Sequence, residues 1–339
     1  MARQAAVRRN GRAIALAALL VTLVSHSALA APWQSAPDSA TGAHKLPASP
    51  QRVFHLNCGT FSPPSAWLVN GEGALFGPAR LVNHCLLIET NQGLVLVDTG
   101  LGTADVSQPA ERFNWGWFAL VRPRFAIEET AKRQVERLGF RAEDVTDIVL
   151  THLDVDHVGG LPDFPGARVH VTAREHERVV HRTDRWAPIR WAHGPRWVPH
   201  TLRPDSWFGF DSVPLRPGLE PEIRLVGLPG HTAGHAGVAV RQGDGWLLHA
   251  GDAYYHRGEI SHATRQCPPG LEAMHRFHGH QPGTWESTQR GLRRLIADGR
   301  PVRLVAAHDP ADWVGATSEG LGPMLAAIRP RGIAWEAGK

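Results

Sequence analysis

The chain has 339 residues, 42% hydrophobic and 20% charged, enough apolar content for one large domain or two modest ones. Its formal charge of +4 reflects 36 basic against 32 acidic residues, and four of the basic ones, Arg3, Arg8, Arg9 and Arg12, lie in the first thirty positions with no acid beside them. Without that segment the charges balance, so neither a nucleic-acid footprint nor a like-charge block for a membrane surface remains.

Those arginines form a basic n-region. Ala13 to Val24 follow as an apolar segment too short to span a bilayer comfortably, and Ala28-Leu29-Ala30 supplies small residues for cleavage. Residues 1–30 therefore read as a secretory signal peptide cut after Ala30, with a periplasmic or secreted location expected. Arg8-Arg9 hints at twin-arginine export, but Asn10-Gly11-Arg12 does not continue that motif, and the route stays open. Residues 31–50, rich in Ala, Pro and Ser, read as a flexible leader, and 51–330 as a single domain. No later apolar run is long enough for a membrane span. Cys58, Cys85 and Cys267 form no metal spacing. Cys58 and Cys85 lie near strand starts and would suit a disulfide in an oxidising compartment, although small buried thiols are the commoner outcome.

Along the chain, strands are expected at Val53–Asn57, Arg80–Glu89 and Leu94–Asp98, the last two joined across Thr90-Asn91-Gln92-Gly93. Phe113–Phe118 is an aromatic loop suited to packing or to a pocket mouth. A helix is expected over Glu128–Leu138, with Ala131, Val135 and Leu138 on one face, Glu128/Lys132 and Glu129/Arg133 as i,i+4 pairs, and Gly139 as its stop. Strands at Thr146–Leu150 and Arg168–Val171 follow, then a helix opened by the capping box Thr172–Glu175. Residues 183–221 carry Trp186, Trp191, Trp197, Trp207, Phe208 and Phe210 among prolines without a steady period. They read as a lid or pocket wall, with a helical packing insert as the alternative. Strands at Glu222–Leu228, Ala236–Arg241, Trp246–His249 and Val302–Ala306 and a helix at Glu286–Ala297 complete the pattern.

The chemistry concentrates after the apolar run Ile148-Val149-Leu150. Of the six residues 152–157, His152, Asp154, Asp156 and His157 can each ligate a transition metal. Nitrogen ligands suit Zn, Fe, Ni or Cu, and carboxylates pull toward the harder ions. Further candidates end other strands: Asp98, His231, Asp252 and His308.

The stretch Thr151–Gly160 resembles the H-x-H-x-D-H signature of the metallo-β-lactamase superfamily, with Asp154 where the second His usually stands. The resemblance runs from about Arg52 to about Trp313. It implies an α+β fold, a four-layer αβ/βα sandwich, and two divalent metal ions, Zn first with Fe or Mn as alternatives. One ion would take His152, Asp154 and His231, the other Asp156, His157 and His308, with Asp252 touching both and Asp98 bracing the loop from behind. Within Pro229–His235 the match gives the ligand role to His231 and not to His235. True β-lactamases place Cys or Ser where Asp252 stands, so the resemblance points to the lactonase, thioesterase and glyoxalase II-like branches. It implies a water activated between the metals that attacks an ester-type carbonyl of a small molecule, lactone first and thioester second. Asp156 would move the proton, and Tyr255, three residues after Asp252, would donate to the oxyanion. Asp154 lowers the formal charge of the cluster from +1 to zero, which disfavours anionic substrates and favours harder ions. Two other readings are an oxidoreductase of the flavodiiron-like branch, which also has a carboxylate at that position, and a secreted metal-binding protein without turnover. His275-x-x-His278-x-His280 is a candidate auxiliary copper or zinc patch.

Overall fold

The computed structural model describes residues 52–181, 188–261, 264–278 and 282–314. The expected signal peptide, the leader, His280 and residues 182–187 lie outside the described residues. Among the described residues no helix is long and apolar enough to cross a membrane.

Seven strands build the first sheet: β1 (Val53–Phe61), β2 (Leu81–Thr90), β3 (Gly93–Val97), β4 (Pro123–Arg124), β5 (Val145–Val149), β6 (Arg168–Thr172) and β7 (Arg196–His200), in the order β4-β1-β2-β3-β5-β6-β7. Six build the second: β8 (Arg203–Trp207), β9 (Phe210–Pro214), β10 (Ile223–Gly227), β11 (Ala236–Gln242), β12 (Gly245–His249) and β13 (Val302–Val305), in the order β13-β12-β11-β10-β9-β8. The period of two along each strand sorts its side chains between seams. In β2 and β3, Cys85, Leu87, Leu94 and Leu96 join Ala131 and Val135 of an outer helix, Ala131–Arg137. Their alternates Leu86, Ile88, Val95 and Val97 face Leu225, Val238 and Leu247 of the second sheet. On the far side, Leu248 and Val226 pack against Leu292 and Leu295 of the helix Pro282–Ala297. Helix, sheet, sheet, helix is the expected four-layer αβ/βα sandwich.

Several expectations are corrected in detail. The helix expected from Glu128 begins at Ala131, because Thr130 caps it, its Oγ1 accepting from Arg133 N at 3.4 Å, and Ile127–Glu129 is a separate 3-10 turn. The expected i,i+4 ion pairs are replaced by Arg137–Glu128 and Arg133–Glu136. Cys58 and Cys85, by contrast, follow the commoner of the two outcomes expected for them: they are free buried thiols, and burial pushes the Cys85 thiol well up. In the described part of 183–221 the only helical piece is a 3-10 turn, Pro188–Arg190, and His200–Leu202 with Phe208–Asp211 form a pocket wall, that of a cleft away from the candidate metal ligands. It also supplies the edge strands β7 and β8 and their neighbour β9, which lies between β8 and β10, and buries Trp191 and Trp207 in two different seams. Pro199 is tolerated in β7 because that strand is a sheet edge.

Candidate metal centre

Strand direction brings the candidate residues together. β3 and β5 run parallel, β12 and β13 run parallel, and β10 is antiparallel to β11, which is antiparallel to β12. β10, β12 and β13 therefore share one direction. Asp98, the loop 150–160, the loop 228–235, Asp252 and His308 all follow C-terminal strand ends.

The loop after β5 is braced from several sides. Asp98 Oδ1 accepts from Thr151 N at 2.8 Å, and its Oδ2 accepts from Thr151 Oγ1 at 2.8 Å and from His157 Nδ1 at 2.8 Å. Burial resists ionisation of this carboxyl, but the charge of His157 and its hydrogen bond outweigh it and hold Asp98 below its ordinary value. Thr99 N donates to His157 O at 2.8 Å, and Asn83 donates to Asp156 O. Bracing by Asp98 is thus legible in the geometry.

Each imidazole of the proposed ligand set is held by its Nδ1. His152 Nδ1 donates to Thr151 Oγ1 at 3.0 Å, His231 Nδ1 lies 3.1 Å from the Tyr255 hydroxyl, and His308 Nδ1 donates to Val82 O at 2.8 Å. The four Nε2 atoms are left facing three carboxylates. Asp252 Oδ2 lies 3.9 Å from His152 Nε2 and 3.7 Å from His231 Nε2, while its Oδ1 lies 3.4 Å from His157 Nε2 and 3.3 Å from His308 Nε2. Asp154 Oδ2 stands 3.1 Å from His231 Nε2 and 3.6 Å from His152 Nε2, and Asp156 Oδ2 stands 3.6 Å from His308 Nε2. Two corners result, His152/Asp154/His231 and Asp156/His157/His308, each with its donor atoms within 4.8 Å of one another.

These donors fit a pair of divalent ions. Ligand atoms about 2.0–2.2 Å from a tetrahedral centre stand roughly 3.3–3.6 Å apart. The Nε2 atoms of His152 and His157 and Oδ1 of Asp252 are buried without a hydrogen-bond partner, a costly state that a cation relieves. Burial opposes a charge on His157, yet Asp252, Asp98 and Asp156 raise its proton affinity well above the ordinary value, and the same field favours a metal.

His235 has a different part. Its Nδ1 donates to Leu228 O at 2.9 Å and its Nε2 accepts from Asp252 N at 2.9 Å, so both nitrogens are occupied. Burial, with His152 and His231 nearby, keeps it neutral. Two residues invisible to motif reading complete the surroundings. Thr172 caps the helix that carries Glu175, its Oγ1 accepting from Glu175 N at 3.1 Å. The Glu175 carboxylate does not close the expected box and instead accepts from Leu153 N at 3.1 Å and Thr232 Oγ1 at 2.6 Å. Arg178, one turn on, donates to Glu175 and lies 3.4 Å from Asp154.

The centre opens into a cavity of about 530 Å³ walled by Phe61, Trp117, Leu120, Val121, Leu271 and Met274, with Asp154, Asp156, Asp252, Tyr255 and His308 at its base. The aromatic stretch after Phe113, now the helix Trp115–Val121, supplies part of that wall. A larger cleft, about 990 Å³, is lined by His200, Phe210 and Arg294 and includes none of the seven candidate ligands. Of the expected patch, His280 and the side chain of His278 lie outside the described residues, and only His275 is placed. It stacks on Tyr255 at 4.8 Å and pairs with Glu259 at 2.8 Å, and Glu259 and Cys267 approach it closely. Glu259 is already bound by Gln289 and Arg265, and no cation site is assigned there.

Two facing sheets with this donor set at their common edge define a metallo-hydrolase of αβ/βα architecture. The chain belongs to the metallo-beta-lactamase superfamily, which residues 79–308 match. It is 41% identical over 268 residues to a probable metallo-hydrolase of Mycobacterium tuberculosis, covering 77% of this chain and 81% of that one. It is 24% identical over 238 residues to an N-acyl homoserine lactonase of Bacillus thuringiensis, covering 68% and 84%. Among solved structures, the fold is similar to an N-acyl homoserine lactone hydrolase with N-hexanoyl-L-homoserine bound at its catalytic metal center, with TM-score 0.59, 22% identity, and 78% and 95% of the two chains covered. A dizinc quorum-quenching lactonase superposes with TM-score 0.52 at 18% identity, covering 79% and 90%. These relationships favour a hydrolase over the oxidoreductase and the turnover-free metal binder.

Proposed function

We propose that the protein is an exported dinuclear metallohydrolase that cleaves an ester-type carbonyl bond, with lactones as the first substrate class and thioesters as the second. The observation that carries this reading is Asp252, whose two oxygens divide between the histidine pairs of the two corners. His152, Asp154 and His231 would hold one ion, Asp156, His157 and His308 the other, with Zn first and Fe or Mn next. When bound, such ions lower the pKa of water and polarise a carbonyl. The lactonase relatives support the choice of carbonyl chemistry.

The chain's own residues do the rest. Asp156 lies at the cavity floor, where its carboxylate can take a proton and return it to the leaving group. The Tyr255 hydroxyl accepts from His231 Nδ1, which leaves its own proton for a substrate oxygen. Burial and the charges of Asp252, Asp154 and Asp156 push this phenol well above its ordinary value, so it stays a donor at neutral pH. The apolar wall from Phe61 to Met274 suits an acyl or alkyl group and keeps water away.

The test is metal analysis of the purified protein, then a panel of lactones, thioesters, phosphoesters and a β-lactam with added Zn, Mn or Fe, run beside His157→Ala. Lactone and thioester rates above that variant support the proposal. Rates at buffer background throughout those two classes sink it. Export, which rests on the signal-like first thirty residues, is checked by fractionating cells that express the full chain.

A further inference from the structure

The replacement of the usual histidine by Asp154 has a counterpart in space. Asp154 Oδ2 faces His231 and His152, whereas its Oδ1 faces Arg178 Nη2 at 3.4 Å. Arg178 is fixed from behind by Glu175, a fully buried carboxylate tied to Leu153 of one metal loop and Thr232 of the other. The guanidinium is thereby anchored to both loops.

Three features make Arg178 more than a brace. Its side chain is 27% exposed and lines the same cavity as Asp156, Asp252 and Tyr255, while Glu175 is sealed beneath it. Its bonds to Glu175 and Asp154 use one donor on each terminal nitrogen, and the contact to Asp154 is long enough to be exchanged for a better acceptor. Among the described residues lining this cavity it is the one guanidinium or ammonium, set against three carboxylates and an apolar wall. Beside the proposed metal pair, an anionic group entering here therefore finds one guanidinium or ammonium among the lining side chains to meet its charge. A planar fork of N–H donors suits a carboxylate better than a point charge would.

We propose that Arg178 is the specificity-determining residue of this cavity, and that it selects ester-type substrates carrying a carboxylate close to the scissile carbonyl. Asp154 holds the guanidinium in place until the substrate arrives. This rests on the hydrolase reading above, and it reverses the expectation that Asp154 makes the site disfavour anions.

The experiment uses the full metal-loaded protein with two esters of one phenol, the 4-nitrophenyl monoester of succinic acid and 4-nitrophenyl butyrate, which differ by a terminal carboxylate. Arg178→Gln is expected to lower kcat/KM on the succinate ester at least tenfold, through KM, and to change the butyrate ester less than threefold. Arg178→Lys should recover part of the loss. Calorimetry with succinate and with its neutral diamide gives a readout without turnover, and only succinate should bind more weakly to Arg178→Gln. Equal losses on both esters, or unchanged succinate affinity, would overturn the proposal and leave Arg178 a structural brace. If the wild type turns over neither ester, the ester chemistry fails while calorimetry still decides the role of Arg178.

Discussion

His157 Nδ1 donates to Asp98 Oδ2 at 2.8 Å, and the same oxygen accepts from Thr151 Oγ1, which in turn receives His152 Nδ1. One buried carboxylate thus orients an imidazole of each metal corner. Its own backbone, at φ 53, is pinned by a bond from Asp98 N to Val149 O at 3.0 Å. Asp98→Asn keeps the volume but replaces one acceptor with a donor aimed at an N–H. Loss of such an orienting partner typically weakens metal binding about 10–100-fold. Metal content after dialysis against graded chelator should fall by that order in the variant, and retention equal to wild type would refute the bracing role.

The cluster His152–His157 was legible in sequence because its signals are local: an apolar run that must be a buried strand, then polar ligands packed too densely for an ordinary loop. His231, Asp252 and His308 were named as ligands only through the resemblance. The sandwich was legible because strands and helices alternate in two halves of the chain, and because the motif resemblance carries that fold with it. The insert was not. β8, Arg203–Trp207, is exposed at four of its five positions, so no hydrophobic period marks it as a strand. Arg178 and Glu175 were hidden for another reason. Thr172 and Glu175 have capping-box spacing, and nothing along the chain tells that the glutamate reaches instead to Leu153 and Thr232.

His231 and His235 lie four residues apart in one loop yet differ in their free atoms. His231 presents Nε2 to Asp154 and Asp252, whereas both nitrogens of His235 are bonded, one to the backbone N–H of Asp252. His231→Ala should reduce the bound metal from two ions toward one. His235→Ala should keep two ions in fresh preparations and lose about 1–3 kcal/mol of stability through an unpaired buried donor and acceptor. Metal quantitation beside urea unfolding separates the two, and a shared metal loss would contradict the assignment.

Gly234 marks where the loop carrying His231 meets the helix carrying Glu175. A Cβ there would lie 2.2 Å from Glu175 N and 2.6 Å from its Cα, and both are backbone atoms that cannot swing aside. Gly234→Ala should cost roughly 1–3 kcal/mol or more as overpacking and weaken metal retention by displacing the loop. Gly243, at φ 56 with nothing within 4 Å of the point a Cβ would occupy, is the control. Gly243→Ala should cost only about 1–2 kcal/mol of backbone strain and leave metal binding alone. Equal metal loss in both would show that crowding against Glu175 is not the cause.

Asp312 gives a pH dependence of defined sign. Its Oδ2 accepts from Tyr254 Oη at 2.7 Å and Ala306 N at 3.0 Å, and burial, aided by Asp309, pushes its carboxyl up from 3.8 to about 6. The folded chain therefore holds a proton that the unfolded chain has released between these values. That stabilisation is complete below pH 3.8 and is lost as pH rises through about 6, a change of roughly 2–3 kcal/mol at 1.36 kcal/mol per unit. Asn accepts from Tyr254 and Ala306 through its amide oxygen and carries no charge to bury. Asp312→Asn should thus gain stability relative to wild type from pH 4 to pH 8 by up to that amount, measured as the difference in urea unfolding free energies. A difference that stays flat across the interval, or grows toward acid, would show that Asp312 is ionised in the folded protein throughout.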